Sequence, residues 1–241
     1  MSISELVKDF NIKIFADGAD EETMYSMNNS DFIDGLTTNP TLMKQSGITD
    51  YVKFCKTILG KIKTKPISFE VFADDFDEME RQAQEIASWG ENIYVKIPVT
   101  NTKGETCYEL IRKLSHQGIK VNITAVMTEK QVSEIIEHLS KMTPSYISVF
   151  AGRIADTGRD PELIMKRSLE IIKKNSCCEL IWASPRELLN IIQANNMGCH
   201  IITVTEGILK KLSLLGYGLD SFSLDTVKMF YEDAKKAGYK I

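Results

Sequence analysis

The sequence predicts an α/β fold: one domain whose parallel strands close into a (β/α)8 barrel. Three observations carry that expectation. Eight short β-rich runs alternate with longer amphipathic runs along nearly the whole chain. Parallel neighbours need crossover connections, and the amphipathic runs supply them. No Gly-rich phosphate loop follows the first strand, where an open doubly wound sheet usually carries one; residues 16–20 read Ala-Asp-Gly-Ala-Asp. No Gly-, Ser- or Pro-rich linker divides the 241 residues, a length that α/β barrels reach as a single domain.

The strands expected in order are Ile12–Asp17, Phe32–Thr37, Ile67–Phe72, Ile93–Ile97, Val121–Thr124, Tyr146–Phe150, Leu180–Ala183 and Ile201–Val204. Apolar residues three and four apart mark the helices between them. One stripe holds Phe76, Met79, Ala83, Ile86 and Ala87, another Cys107, Leu110, Ile111 and Leu114, a third Val132, Ile135, Ile136 and Leu139. Thr128 and Gln131 form a capping-box pattern. Asp160-Pro161 sets a cap residue before a first-turn proline, and residues 184–187, Ser-Pro-Arg-Glu, combine both devices. The barrel is expected over about 12–215. Ile3, Leu6, Val7 and Phe10 suggest an additional N-terminal helix, and Leu224, Val227, Phe230 and Ala234 a C-terminal helix over about 220–237.

Composition narrows the function. The chain is 43% hydrophobic and 26% charged, which excludes wholesale disorder. A net charge of −4 argues against nucleic acid as a partner. No apolar run approaches the roughly 18 residues of a membrane span. The five cysteines include no C-x-x-C, and an odd number reads as free thiols in a reducing cytoplasm. His116, His138 and His200 lie far apart, without the local spacing of metal ligands.

Strand side chains alternate between faces. In the fourth strand Ile93, Val95 and Ile97 suit the helix layer, so Tyr94 and Lys96 turn inward. The same test turns in Phe15 and Asp17, Thr37 and Asn39, Ser68, Glu70 and Phe72, Asn122 and Thr124, Tyr146, Ser148 and Phe150, and Trp182 and Ser184. The polar members lie toward the strand ends, the face where barrel active sites gather. A lysine turned into a barrel loses hydration, and a neutral amine can attack a carbonyl to form a Schiff base. Asp17 and Glu70 are two carboxylates able to divide the proton transfers that imine formation and aldol cleavage require. Ser184 capping a helix, with Arg186 in its first turn, makes an anion site, and Arg153 could close on the same anion.

These residues resemble a known family. Residues 35–42, Gly-Leu-Thr-Thr-Asn-Pro-Thr-Leu, are similar to the T-T-N-P signature of transaldolases, and residues 94–98, Tyr-Val-Lys-Ile-Pro, to the segment that holds their Schiff-base lysine. Residues 121–124, 148–156 and 183–186 also match, in the family's order, so the resemblance spans roughly 12–215. One departure is Phe-Ala-Asp-Gly-Ala at 15–19, where transaldolases usually show F-L-D-T-A. The length suits the small-transaldolase branch, which includes the fructose-6-phosphate aldolases. The resemblance implies a TIM barrel that moves a dihydroxyacetone unit from a ketose phosphate to an aldose phosphate, with no metal or organic cofactor. It implies Lys96 as the imine former and Asp17 as the base for the C4 hydroxyl. Glu70 and Thr124 would hold the proton-shuttling water, and Asn39 and Asn122 the donor hydroxyls. Thr37 and Ser148 would line the site, and Arg153, Ser184 and Arg186 would bind phosphate. Glu70 and Phe150 stand where the aldolase branch resembles this chain with Gln and Tyr, which favours transfer; an aldolase releasing free dihydroxyacetone, or one acting on sulfo-sugars, is the alternative. The resemblance also implies a homo-oligomer, up to a decamer, joined through the C-terminal helix.

Overall fold

The computed structural model describes residues 3–241. Its strands are β1 (Lys13–Asp17), β2 (Gly35–Thr37), β3 (Ile67–Glu70), β4 (Ile93–Pro98), β5 (Val121–Val126), β6 (Ser145–Val149), β7 (Cys178–Trp182) and β8 (Ile201–Thr205). They pair in sequence order, all parallel, and β8 returns to β1. The fold is the expected (β/α)8 TIM barrel.

Alternation along the strands divides the core into two layers. Ile14, Leu36, Phe69, Val95, Ile123, Ile147 and Leu180 face the helices and pack against residues such as Met79, Ala83 and Ile86 of the helix Phe76–Ala87. Inside the barrel, Phe15, Tyr94, Tyr146, Ile181, Ala183 and Ile201 form a second cluster, with Phe150 packed on it. Tyr94 and Tyr146 stack with ring centroids 3.9 Å apart, and Phe15 meets Tyr146 edge-on at 5.7 Å. Room for Phe15 comes from Gly35 on the neighbouring strand, where a Cβ would lie 2.6 Å from the ring. This aromatic layer is the floor on which the polar strand ends rest.

The helix signals hold at two of three places. Thr128 and Gln131 make the complete capping box, and Asp160 caps the helix Pro161–Ile172. The third differs: the helix after β7 runs Leu189–Asn196, and Ser184 does not cap it. Ser184 adopts φ 60°, and the side chain of Asn190 instead accepts from the Arg186 and Glu187 amides at 2.8 and 3.2 Å. Strand faces need two corrections. Trp182 belongs to the outer layer, because the register sets it beside Val149 and Ile202, both outward residues, while Ile181 and Ala183 turn in. Phe72 lies beyond the end of β3 and packs on Tyr51 at 4.5 Å, half exposed. β2 begins only at Gly35, since the Asp34 carboxylate takes the Ile14 amide at 2.8 Å.

The two extra segments are present. The helix Ile3–Val7 packs against the turn Lys210–Leu214, with Phe10 just past its end. The C-terminal helix Leu219–Ala237 buries none of its residues and ends at Gly238 with φ 69°. Among the described residues, no helix is long and apolar enough to cross a membrane.

Candidate active site

Asp17 ends β1, next to Thr37 of β2. Its two carboxylate oxygens are separately bonded: Thr37 Oγ1 donates to one at 2.8 Å and Asn39 Nδ2 to the other at 3.0 Å. Asn39 is placed by the helix it caps, Pro40–Gln45, where its Oδ1 accepts from the Leu42 amide at 2.9 Å. One amide side chain therefore starts a helix and holds a carboxylate. Burial raises the Asp17 carboxyl above the ordinary aspartate range, against the opposing charge of Lys96 and the two donors.

Glu70 and Lys96 are register partners on β3 and β4. The Lys96 Nζ lies 4.0 Å from Glu70 Oε2 and donates to the main-chain oxygen of Thr38. Burial also raises the Glu70 carboxyl; the Asp17 charge adds to that, while Lys96 and a hydrogen bond from Thr38 oppose it. Its Oε1 is buried and has no hydrogen-bond partner among the described residues. Asn122 of β5 is the register partner of Lys96 on the other side. It donates to Ser68 Oγ at 3.0 Å and accepts from Ser148 Oγ at 2.8 Å, a network crossing β3, β5 and β6. Thr124 is half-buried two residues on, ahead of a register shift in which Ala125 takes φ 60°. Phe150 packs on the inner cluster directly above β6.

The cationic residues lie farther out. Arg186 donates to Asp156 from Nε at 3.0 Å and Nη2 at 2.5 Å, and to Ser184 Oγ from Nη1 at 3.1 Å. Arg153 is exposed on the short helix Ala151–Ala155. Both arginines hold the Asp156 carboxyl below the usual range, Arg186 chiefly through its hydrogen bonds. The short helix and the Ser184 turn approach so closely that only glycine fits at 152, where a Cβ would lie 1.6 Å from the Ser184 carbonyl oxygen.

Asp17, Thr37, Asn39, Glu70, Lys96, Asn122 and Ser148 thus converge through two connected networks, and Ser184 and Arg186 form a separate group with Asp156. Three contributors escaped the sequence reading. Thr203 of β8 contacts Thr37 Oγ1 at 2.6 Å, and alternation from Ile201 would have found it. Thr38 donates to Glu70 from just beyond β2, where alternation no longer applies. Asp156 lies outside any strand, at the end of the matched segment 148–156, which gave it no role.

A lysine, a buried glutamate and a half-buried aspartate at the strand C-termini define a barrel enzyme of the kind whose chemistry sits on that face. Comparison with known proteins specifies the family. A model described as transaldolase/fructose-6-phosphate aldolase matches residues 14–241. A "probable transaldolase" of Methanococcus vannielii is 32% identical, over 89% of this chain and 97% of its own length. One of Thermoanaerobacter is 33% identical over 95% of this chain and all of its own. A solved 2,3-dimethylmalate lyase aligns with a TM-score of 0.54 at 9% identity, covering 98% of this chain and 87% of that one, a likeness of fold alone. The chain belongs to the transaldolase/fructose-6-phosphate aldolase family.

Proposed function

We propose that this enzyme is a transaldolase acting through a Schiff base on Lys96. The observation that carries the reading is the placement of Lys96 Nζ 4.0 Å from Glu70 Oε2, above an aromatic floor and opposite a half-buried Asp17. Glu70 takes a proton from Lys96, and the amine so freed adds to the C2 carbonyl of a ketose phosphate such as fructose 6-phosphate or sedoheptulose 7-phosphate. Glu70, with water held by Thr124, protonates the departing carbinolamine hydroxyl, and an iminium forms. Asp17 removes the C4 hydroxyl proton; the C3–C4 electron pair moves into the iminium, leaving an enamine and a free aldose phosphate. An acceptor aldehyde, glyceraldehyde 3-phosphate or erythrose 4-phosphate, then takes the three-carbon unit by the reverse steps, the exchange that joins sugar phosphates in the pentose phosphate pathway. Asn39 and Asn122 bind the donor hydroxyls, lined by Thr37, Ser148 and Phe150. Arg186 and Ser184, with Arg153 beside them, bind the phosphate; Arg186 is presented by Asp156 rather than by a helix start.

The same reading includes assembly. A monomer of 27.2 kDa exposes roughly 10,900 Å² on average, whereas this chain exposes 13036 Å². The excess of roughly 2,000 Å² fits an unburied C-terminal helix carrying Leu219, Phe222, Val227 and Phe230, and we place that helix on a second copy within a homo-oligomer. Cys55, Cys107, Cys177, Cys178 and Cys199 are free thiols, suited to the reducing cytoplasm.

Borohydride added during turnover of fructose 6-phosphate tests the chemistry. A reduced three-carbon adduct on Lys96, with loss of activity, is expected. Label on another residue, with Lys96→Ala still active, would rule the mechanism out.

A further inference from the structure

Thr38 is fully buried between β2 and β3 and makes contacts with both groups at the heart of the site. Its main-chain oxygen accepts from Lys96 Nζ. Its hydroxyl lies 2.9 Å from Glu70 Oε2 and 3.0 Å from the Ser68 main-chain oxygen. A hydroxyl has one proton to give and two lone pairs to receive with. Two acceptors therefore compete for the Thr38 proton, and the winner depends on the state of Glu70. When Glu70 is ionised, Thr38 donates to it. When Glu70 is protonated on Oε2, it donates to Thr38 Oγ1, and the Thr38 proton turns to the Ser68 carbonyl. The carbonyl keeps a partner in either case, because the Thr38 amide also donates to it at 3.3 Å.

We propose that Thr38 is a positioning residue that fixes Glu70 against Lys96 and allows Glu70 to gain and lose a proton without leaving a buried polar group unpaired. The inference rests on the Schiff-base reading above and assigns it a residue that touches no substrate. Glu70 has the particular need for such a partner. Its other oxygen, Oε1, is buried without one, so among the described residues Thr38 is the side chain that hydrogen-bonds the Glu70 carboxyl. Asp17, in contrast, has two neutral donors that both favour its anion. The other groups that face Glu70 are Lys96 from β4, Asp17 from β1, and Tyr51 and Cys55 from the helix Tyr51–Lys61. Tyr51 donates to the Glu70 main-chain oxygen at 2.8 Å, which leaves the carboxylate to Thr38.

Thr38→Val removes the hydroxyl and keeps the main-chain tether to Lys96, so it separates the two contacts. With fructose 6-phosphate as donor and glyceraldehyde 3-phosphate as acceptor, kcat should fall about 10- to 100-fold while KM moves less than about threefold. The acidic limb of the kcat profile should move to higher pH, because the bond that favours the Glu70 anion is gone. Thr38→Ser should return kcat to within about threefold of wild type. In a Glu70→Gln background the same Thr38→Val change should alter kcat by less than about threefold, since the residue acts through Glu70. A Thr38→Val enzyme with wild-type kcat and an unmoved limb overturns the proposal, as does a loss that is undiminished beside Glu70→Gln. If the valine variant does not fold, Thr38→Cys replaces it with a weak donor of similar size: a loss with the same limb shift supports the proposal, and a wild-type profile overturns it. Borohydride capture on Lys96 in the wild type is run in parallel. Its absence would sink the Schiff-base reading itself, a failure distinct from a captured wild type with an indifferent Thr38.

Discussion

Gly152→Ala reaches the proposed phosphate site without altering Ser184, Arg186 or Arg153. A Cβ at this position would lie 1.6 Å from the Ser184 carbonyl oxygen, 2.8 Å from its carbon and 3.4 Å from Arg186 Cγ. Ordinary contact begins near 3.4 Å, so the Ser184 carbonyl must withdraw by about 1.8 Å. It has little freedom to do so. Ser184 already occupies the left-handed region at φ 60°, and Ala183 just before it is tied to β6 through a 2.8 Å bond to the Val149 oxygen. The displacement passes to Arg186, whose Nη1 donates to Ser184 Oγ at 3.1 Å. Overpacking of this kind destabilises a fold by about 1–3 kcal/mol. Misplacing a binding group by about 1 Å can reduce catalysis roughly 100-fold.

The assay compares KM for glyceraldehyde 3-phosphate with KM for unphosphorylated glyceraldehyde, alongside thermal unfolding. The expected result is a rise of about 10- to 100-fold for the phosphorylated acceptor, with the other KM within about threefold. Gly158→Ala is the control. That residue has φ 77° and open space for a Cβ, so alanine should cost about 1 kcal/mol of stability and leave both KM values alone. If Gly152→Ala binds both acceptors as wild type does, the Ser184–Arg186 group is not the phosphate site.

Three further outcomes are expected. Phe150→Tyr adds a hydroxyl beside the inner cluster, where it can orient water toward the enamine; release of free dihydroxyacetone should rise relative to transfer, and an unchanged or lower ratio would end that claim. Glu70→Gln should melt above wild type at pH 7: the folded-state carboxyl is raised, so the folded state binds more protons and wild-type stability falls as pH climbs from the ordinary glutamate value of about 4.3 through the raised one. The gap should close below pH ~4, and a gap constant with pH would contradict the assignment. Light scattering at micromolar concentration should give a multiple of 27.2 kDa, and charging the C-terminal stripe with Phe230→Glu should lower it; a wild-type monomer would refute the assembly.

The sequence was most legible where one strand face is polar and the other apolar. On β4, Lys96 stands between Val95 and Ile97, so parity had a single answer. On β7 the run Leu180-Ile181-Trp182-Ala183 is apolar on both faces, and alternation has nothing to read; the register with β6 and β8 sets the faces, and it turns Trp182 outward. The Ser184 turn was misread for a related reason. A Ser-Pro pair satisfies the local rules for a helix start, but the close approach of Gly152 leaves the backbone there a left-handed turn, a tertiary constraint absent from local propensity. Thr38 and Asp156 act through partners 32 and 30 residues away, and only the closed barrel brings them together.

The two carboxylates of the site are suited to different tasks by what bonds them. Burial raises both, so desolvation alone cannot assign their roles. Asp17 has a neutral donor on each oxygen, from Thr37 and Asn39. Both bonds favour the anion and fix its plane, the requirements of a base that takes one proton from one hydroxyl. Glu70 has one oxygen on a hydroxyl able to donate or accept and the other unpartnered. A carboxyl so held can protonate a leaving hydroxyl and later deprotonate an incoming water with little rearrangement. In the proposed reaction those two acts form and hydrolyse the imine, whereas Asp17 acts when the carbon–carbon bond breaks. The division follows from donor count and not from distance to Lys96, since the lysine's charge bears on both carboxylates. Exchanging the residues by Asp17→Glu and Glu70→Asp together should therefore not restore activity lost by either change alone, because each donor set stays with its strand; recovery in the double variant, measured by transfer to glyceraldehyde 3-phosphate, would show that charge alone suffices.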